Sequence, residues 1–200
     1  MLIHLRRSLV MAVICLAFFG FVYALAGTGV AQLFFRSQAD GSITANGSTL
    51  IGQNWSSPRW FHGRPDDTGP YAANPKAKPA VAGGDNPLMA NGNSGESGAS
   101  NLGPRSKVLL NNTKALVAYW HGLGVNPTPD LVTTSGSGYD PDITPADALV
   151  QIPMVSKATG VSPAALRSLI TRETNSPQLG FLGSSFVNVL QLNEALAHLQ

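Results

Sequence analysis

Between Arg7 and Arg36 the chain runs 28 residues without a formal charge, SLVMAVICLAFFGFVYALAGTGVAQLFF. As a helix this run reaches roughly 42 Å at about 1.5 Å per residue. About 20 apolar residues suffice to cross the hydrocarbon core of a bilayer. The run therefore predicts one membrane-spanning helix over residues 8–35, with residues 1–7 on one side and 36–200 on the other. The positive-inside bias puts Arg6 and Arg7 in the cytoplasm and residues 36–200 outside it. A cleaved signal peptide is the competing reading, because Ala24-Leu25-Ala26 follows a basic start and an apolar stretch as a cleavage site does. Length favours the anchor. The apolar part alone, residues 9–26, has 18 residues, against about 7–15 in a signal peptide. The charge-free sequence also continues past that point to Leu33-Phe34-Phe35. Cys15, inside the run, reads as a small apolar helix residue.

The net charge of +2 comes from Arg6 and Arg7 alone, since residues 36–200 carry 11 Lys+Arg against 11 Asp+Glu. Such a neutral domain offers no basic face to phosphates, which excludes a nucleic-acid partner. It has no cysteine and so no internal disulfide, even in an oxidising compartment. Its 165 residues suffice for one modest core.

Within that domain, residues 49–53 read as a short strand, and Trp55, Trp60 and Phe61 as an aromatic knot buried in a core or interface. Over residues 66–105, Gly, Pro, Asn and Ser make up 20 of 40 residues, a long loop rather than an ordinary connection. A helix is expected from Ser106, with Leu109, Thr113, Leu116, Trp120 and Leu123 on one stripe. Residues 130–134 read as extended chain and 135–138 as a loop. Thr144-Pro145-Ala146-Asp147 is a helix start, with a break expected near Gln151-Ile152 ahead of Pro153. Ser162-Pro163 starts another helix with Leu166, Leu169 and Ile170 inward. Asn188 caps a terminal helix that buries Leu192, Leu196 and Leu199. Helices outnumber strands without βαβ alternation, so the fold class is α+β, a single N-terminal transmembrane helix followed by one extracytoplasmic mixed domain.

Catalytic signatures are missing. The chain contains no G-x-x-x-x-G-K-[ST], H-E-x-x-H or C-x-x-C pattern, so no phosphate cradle and no metal site is indicated. Ser137 lacks the flanking glycines of a nucleophile elbow, having Ser135 and Tyr139 instead. Of the four histidines only His62 and His121 are placed for a site, and the competing reading, which a lone histidine favours, is a surface or capping group. The densest polar run, residues 132–144, holds Ser135, Gly136, Ser137 and Gly138, whose main chain suits an ion or ligand nest. Asp140 and Asp142 are spaced like the start of a calcium loop, but Pro145 and Gln151 occupy its glycine and glutamate positions. The competing reading is a tight turn, with Asp140 and Thr144 capping the next helix.

Six pieces taken in order, behind the N-terminal span, carry a resemblance: NGSTLIGQ at 46–53, FHGRP at 61–65, SNLGP at 100–104, DLVTTSGSGYDP at 130–141, LG at 182–183 and VNVLQLN at 187–193. Together they resemble the C subunit of the Kdp-type potassium-transporting P-type ATPase. The chain departs from that family's pattern in a longer 66–98 segment, in Asp142 where histidine is typical, and in Met154 and Thr159 where arginine is. The resemblance implies an accessory subunit that does not itself cleave ATP, in the inner (plasma) membrane of a bacterium. Its partners would be a potassium-translocating subunit, an ATP-hydrolysing subunit and a small stabilising subunit, with lipid around the span. No covalently bound cofactor is implied, and potassium and ATP are handled by the complex. The subunit would stabilise that complex and assist either potassium access or high-affinity ATP binding by the catalytic subunit. Topology favours the first, because ATP is met in the cytoplasm. The resemblance makes Gln53, Arg64, Ser135, Gly136, Ser137, Gly138, Asp140 and Gln151 candidates for an interface or ligand loop. It also gives the span an assembly task, for which Gly20, Ala24 and Gly27 offer a small-residue face. The alternative is a stand-alone, membrane-anchored binding protein or enzyme with residues 66–105 as its lid.

Overall fold

A computed structural model of the protein describes residues 2–53, 55, 57–65 and 99–200. Most of the expected long loop, residues 66–98, lies outside the described residues, and residues 99–105 form neither helix nor strand. The chain divides into two units, Met1–Ile43 and Thr44–Gln200.

The first unit is dominated by one helix, Leu2–Phe34, whose 33 residues are long and apolar enough to cross a membrane. It comprises α1 (Leu2–Cys15), a π-helical segment (Leu16–Val22) and α2 (Tyr23–Phe34). It starts ahead of the charge-free run, so Arg6 and Arg7 belong to its first turns. Wider turns in the π segment change the phase of the face that follows; there the Tyr23 N–H reaches back to the Phe18 carbonyl. Phe35 leaves helical geometry at φ −135° and ψ 40°, and a single turn, α3 (Arg36–Ala39), follows. Asp40 ties this turn off, accepting from Gln32 Nε2 at 2.9 Å and lying 3.6 Å from Arg36 Nε.

The second unit is a mixed domain, as expected of an α+β fold. After a minimal pairing of β1 (Ile43–Thr44) with β2 (Gly47–Ser48), its helices are α4 (Lys107–Gly122), α5 (Pro145–Thr159), α6 (Pro163–Glu173) and α7 (Val189–Ala197). Three short strands, β3 (Asp142–Ile143), β4 (Thr174–Asn175) and β5 (Phe186–Asn188), form an antiparallel sheet in the order β3-β5-β4. Helices α5, α6 and α7 all touch β5, and α6 packs on both of the others. The core is therefore built around Val187, with Ile152, Val155, Leu166, Leu169, Ile170, Leu192 and Leu196 buried about it. Each such side chain contributes about 1.5–3 kcal/mol on leaving water.

Local signals place the helix starts where expected. The Ser106 hydroxyl accepts from the Leu109 N–H, Ser162 from Ala165, and the Asn188 side chain from Gln191. At Thr144 and Asp147 the capping box is complete, each side chain bonding the other's main-chain N–H. Trp55 and Trp60 stack edge to face at 5.4 Å beside the buried Phe61, so the aromatic knot forms.

Four expectations fail for identifiable reasons. Residues 49–53 are not a strand, because the Ser48 hydroxyl takes the Leu50 N–H and the Ser48 carbonyl that of Ile51, closing a turn. Residues 130–132 are not extended but a single 3-10 turn, Asp130–Val132, since Pro129 presets its φ at −55° and its carbonyl accepts from Val132. Helix α5 does not break before Pro153. That proline is exposed while Gln151, Ile152, Met154 and Val155 are buried, so tertiary packing outweighs a loss of about 3 kcal/mol. Leu199 lies beyond the end of α7 and stays exposed, unlike Leu192 and Leu196.

Candidate functional site

The site begins with an extended segment, residues 61–65, threaded between two helices. Phe61 donates its N–H to Asn193 Oδ1 at 2.8 Å and accepts from Asn193 Nδ2 at 2.9 Å. His62 does the same with Gln151, through Oε1 at 2.8 Å and Nε2 at 3.0 Å. All four residues are buried. Because successive residues of an extended chain face opposite ways, the two primary amides approach from opposite sides, α7 from one and α5 from the other. Each replaces the neighbouring strand that would otherwise satisfy that main chain. Without them, four buried polar groups would each lose about 1–3 kcal/mol.

His62 is thereby fixed in the interior, not at the surface or at a cap as expected of it. Its ring lies 5.2 Å from that of Trp120. Nε2 sits 3.1 Å from the Ser57 carbonyl and Nδ1 3.5 Å from the Tyr119 hydroxyl. A carbonyl only accepts, so Nε2 carries the proton and Nδ1 receives the Tyr119 hydroxyl. Burial lowers the His62 pKa from 6.5 to about 4, against a smaller upward pull from Ser57. Burial likewise pushes the Tyr119 hydroxyl up to about 12. His121 is exposed at the end of α4.

This clamp aims Arg64 and Pro65 at the polar loop. The Pro65 carbonyl accepts from the Ser135 N–H at 3.4 Å. Arg64 Nη1 pairs with Asp140 Oδ2 at 3.1 Å and Nη2 reaches the Thr134 carbonyl at 3.5 Å, while Nε is buried without an acceptor among the described residues. Inside the loop, the Gly138 N–H goes to Ser135 Oγ at 2.8 Å and the Tyr139 N–H to Ser137 Oγ at 3.1 Å. Gly138 needs its left-handed φ of 73° to close this turn. Asp140 Oδ1 accepts from the Asp142 N–H at 3.1 Å, so Asp140 stiffens the loop while Thr144 caps α5. Burial raises the Asp142 pKa, Asn188 lowers it through a 2.9 Å hydrogen bond, and the nearby Asp140 charge raises it.

The turn that carries Gln53 joins the same surface, with the Gly52 N–H bonded to the Tyr139 carbonyl at 2.8 Å. Gln53 Nε2 reaches the Ser48 carbonyl at 3.4 Å. It also explains Gly47, where a Cβ would stand 2.0 Å from that Nε2. Leu50 and Ile51 are exposed beside it. The structure thus brings Gln53, Arg64, Ser135, Gly136, Ser137, Gly138 and Asp140 into one connected patch. Gln151 sits in the interior and reaches the patch only through the His62 main chain. Gly20, Ala24 and Gly27 belong to the other unit, Gly20 within the π segment and the other two on α2, whose Thr28 hydroxyl bonds the Ala24 carbonyl at 3.0 Å.

Asn193, the second role of Asn188 and the buried state of His62 escaped sequence reasoning. A signal existed for Asn193: an amide among Leu192 and Leu196 on an apolar helix face must satisfy itself internally. Asn188 was legible as a cap, but not as the group that also donates to the Thr49 carbonyl at 2.9 Å.

A long apolar N-terminal helix joined to a small mixed domain, with a connected polar patch among the described residues, has the build of a membrane-attached accessory subunit. The family model for the K+-transporting ATPase, C chain, matches residues 5–198. The potassium-transporting ATPase KdpC subunit of Methylobacterium nodulans is 41% identical over 206 residues, covering 100% of this chain and 98% of that protein. The KdpC subunit of Sorangium cellulosum is 42% identical, with 98% of each chain covered. That of Caulobacter vibrioides is also 42% identical, over 98% of this chain and 93% of its own. The chain belongs to the KdpC family, the C chain of the K+-transporting ATPase, an accessory subunit of that pump.

Proposed function

We propose that residues 44–200 lie on the extracytoplasmic side of the bacterial inner membrane and dock on the external face of the potassium-translocating subunit, stabilising the pump without cleaving ATP. The observation that carries this reading is the hydrogen-bonded patch of residues 134–140, Arg64 and the 48–53 turn. Its main-chain N–H groups at Gly138 and Tyr139 are met by the loop's own hydroxyls. A loop whose main-chain donors are already taken by its own hydroxyls suits recognition by shape better than a main-chain nest for a free anion such as ATP. Arg6 and Arg7 at the start of the span support the orientation, which keeps the domain away from cytoplasmic nucleotide. Asp140 adds little pull on potassium: an exposed carboxylate attracts a monovalent ion by about 1 kcal/mol in water, and this one already pairs with Arg64. The assembly role is therefore the stronger part. Within the membrane, Gly20, Ala24 and Gly27 let helices of the translocating, ATP-hydrolysing or small stabilising subunits approach closely. Removing residues 44–200 while keeping the span should strip the pump of assembly on affinity purification and weaken potassium uptake. An intact, fully active pump after that deletion would overturn the proposal.

A further inference from the structure

A second surface has no part in the docking patch. The connection between β4 and β5, residues 176–185, folds back on itself: the Gln178 and Leu182 main chains exchange hydrogen bonds of 2.9 Å in both directions. The N–H groups of Gly180 and Phe181 bond the carbonyls of Pro177 and Gln178 at 3.0 and 3.2 Å. At its tip, Leu179 is 82% exposed and Phe181 74% exposed, with Leu182 also open to solvent. Leu179 holds φ 54°, a left-handed conformation unfavourable for a leucine. Both the exposure and the backbone geometry oppose folding, and neither is repaid among the described residues. The base of the connection is rigid, because β5 is the central strand and Val187 is fully buried.

We propose that Leu179 and Phe181 form a preorganised apolar knob that inserts into an uncharged pocket on the potassium-translocating subunit of the pump. Residues 174–193 contain no Asp, Glu, Lys or Arg, so the knob meets an apolar, neutral wall without desolvating a charge. The same absence argues against lipid as the occupant. Surface-bound elements pair their apolar residues with Lys or Arg for anionic headgroups and with Trp or Tyr at the interface, and this segment has none of the four. Two large apolar side chains on a fixed turn lose little freedom on insertion, as interface anchors do.

The knob rests on the docking role proposed above and is tested with the full-length subunit co-expressed with the rest of the pump. The double substitution Leu179→Ser, Phe181→Ser should lower recovery of the assembled pump by about 10-fold or more, the effect of truncating two buried anchors. Leu199→Ser, at a residue 45% exposed elsewhere on the domain, should leave recovery unchanged. The double variant should unfold no earlier than the parent, since it removes only exposed apolar groups. Unchanged recovery overturns the knob; if deleting residues 44–200 still disrupts assembly, the docking role stands without it. An environment-sensitive dye on Phe181→Cys, with Cys15→Ser, adds the lipid outcome. A blue shift only when the other subunits are added supports a protein pocket, and a blue shift in lipid alone overturns it.

Discussion

At the scale of single residues, the domain depends on polar groups that work from inside. Gln151 and Asn193 carry the main chain of residues 61 and 62, and through it hold Arg64 and Pro65 against the polar loop. Gln151→Leu keeps much of the volume but strands two buried main-chain groups. It should destabilise the domain by about 2–4 kcal/mol, read as a shift in urea unfolding of the full-length chain by tryptophan fluorescence. That signal reports only this unit, because Trp55, Trp60 and Trp120 are the chain's three tryptophans. A shift below about 0.5 kcal/mol, the ordinary range of surface substitutions, would show that the clamp does not hold the segment. His62 gives a dependence on pH. Its folded pKa of about 4 lies below its ordinary 6.5, so the unfolded chain binds the proton first. The contribution to stability is complete above pH 6.5 and is lost as pH falls toward 4, up to about 3 kcal/mol. His62→Gln should flatten that part of the profile relative to the parent, and parallel profiles would place the acid sensitivity in other groups.

At the scale of elements, what the sequence revealed and what it hid divide by the range of the forces involved. Caps were legible because Ser106, Thr144, Ser162 and Asn188 act on N–H groups three residues away. Leu166, Leu169 and Ile170 were legible as inward because helical spacing dictates a face. The uninterrupted α5 was not, since the groups outweighing Pro153 arrive from other elements, from α6 just after it and from β5 much further along the chain. The same holds for the site: the 134–140 turn could be read locally, but its partner Arg64 lies 76 residues from Asp140. Pro153→Ala restores an N–H for the Leu149 carbonyl without disturbing a buried contact. After allowing for the freer unfolded chain, it should stabilise the domain by about 2 kcal/mol. Calorimetry showing an unchanged or lower Tm would mean that the helix has adapted to its proline.

At the scale of the whole molecule, a helix long enough to span a bilayer and a separate neutral domain divide the work of an accessory subunit. In the proposed arrangement one would keep the chain among its partners, and the other would present the polar patch and the apolar knob to them. This arrangement has its proposed meaning only if the domain is outside the cytoplasm, where it can reach the mouth of the translocating subunit but never ATP. The direct measurement is labelling of Ala164→Cys, an exposed position on α6, in the Cys15→Ser background with a membrane-impermeant maleimide on intact cells. An extracytoplasmic domain predicts labelling without permeabilisation. Labelling that appears only after the inner membrane is opened would contradict it.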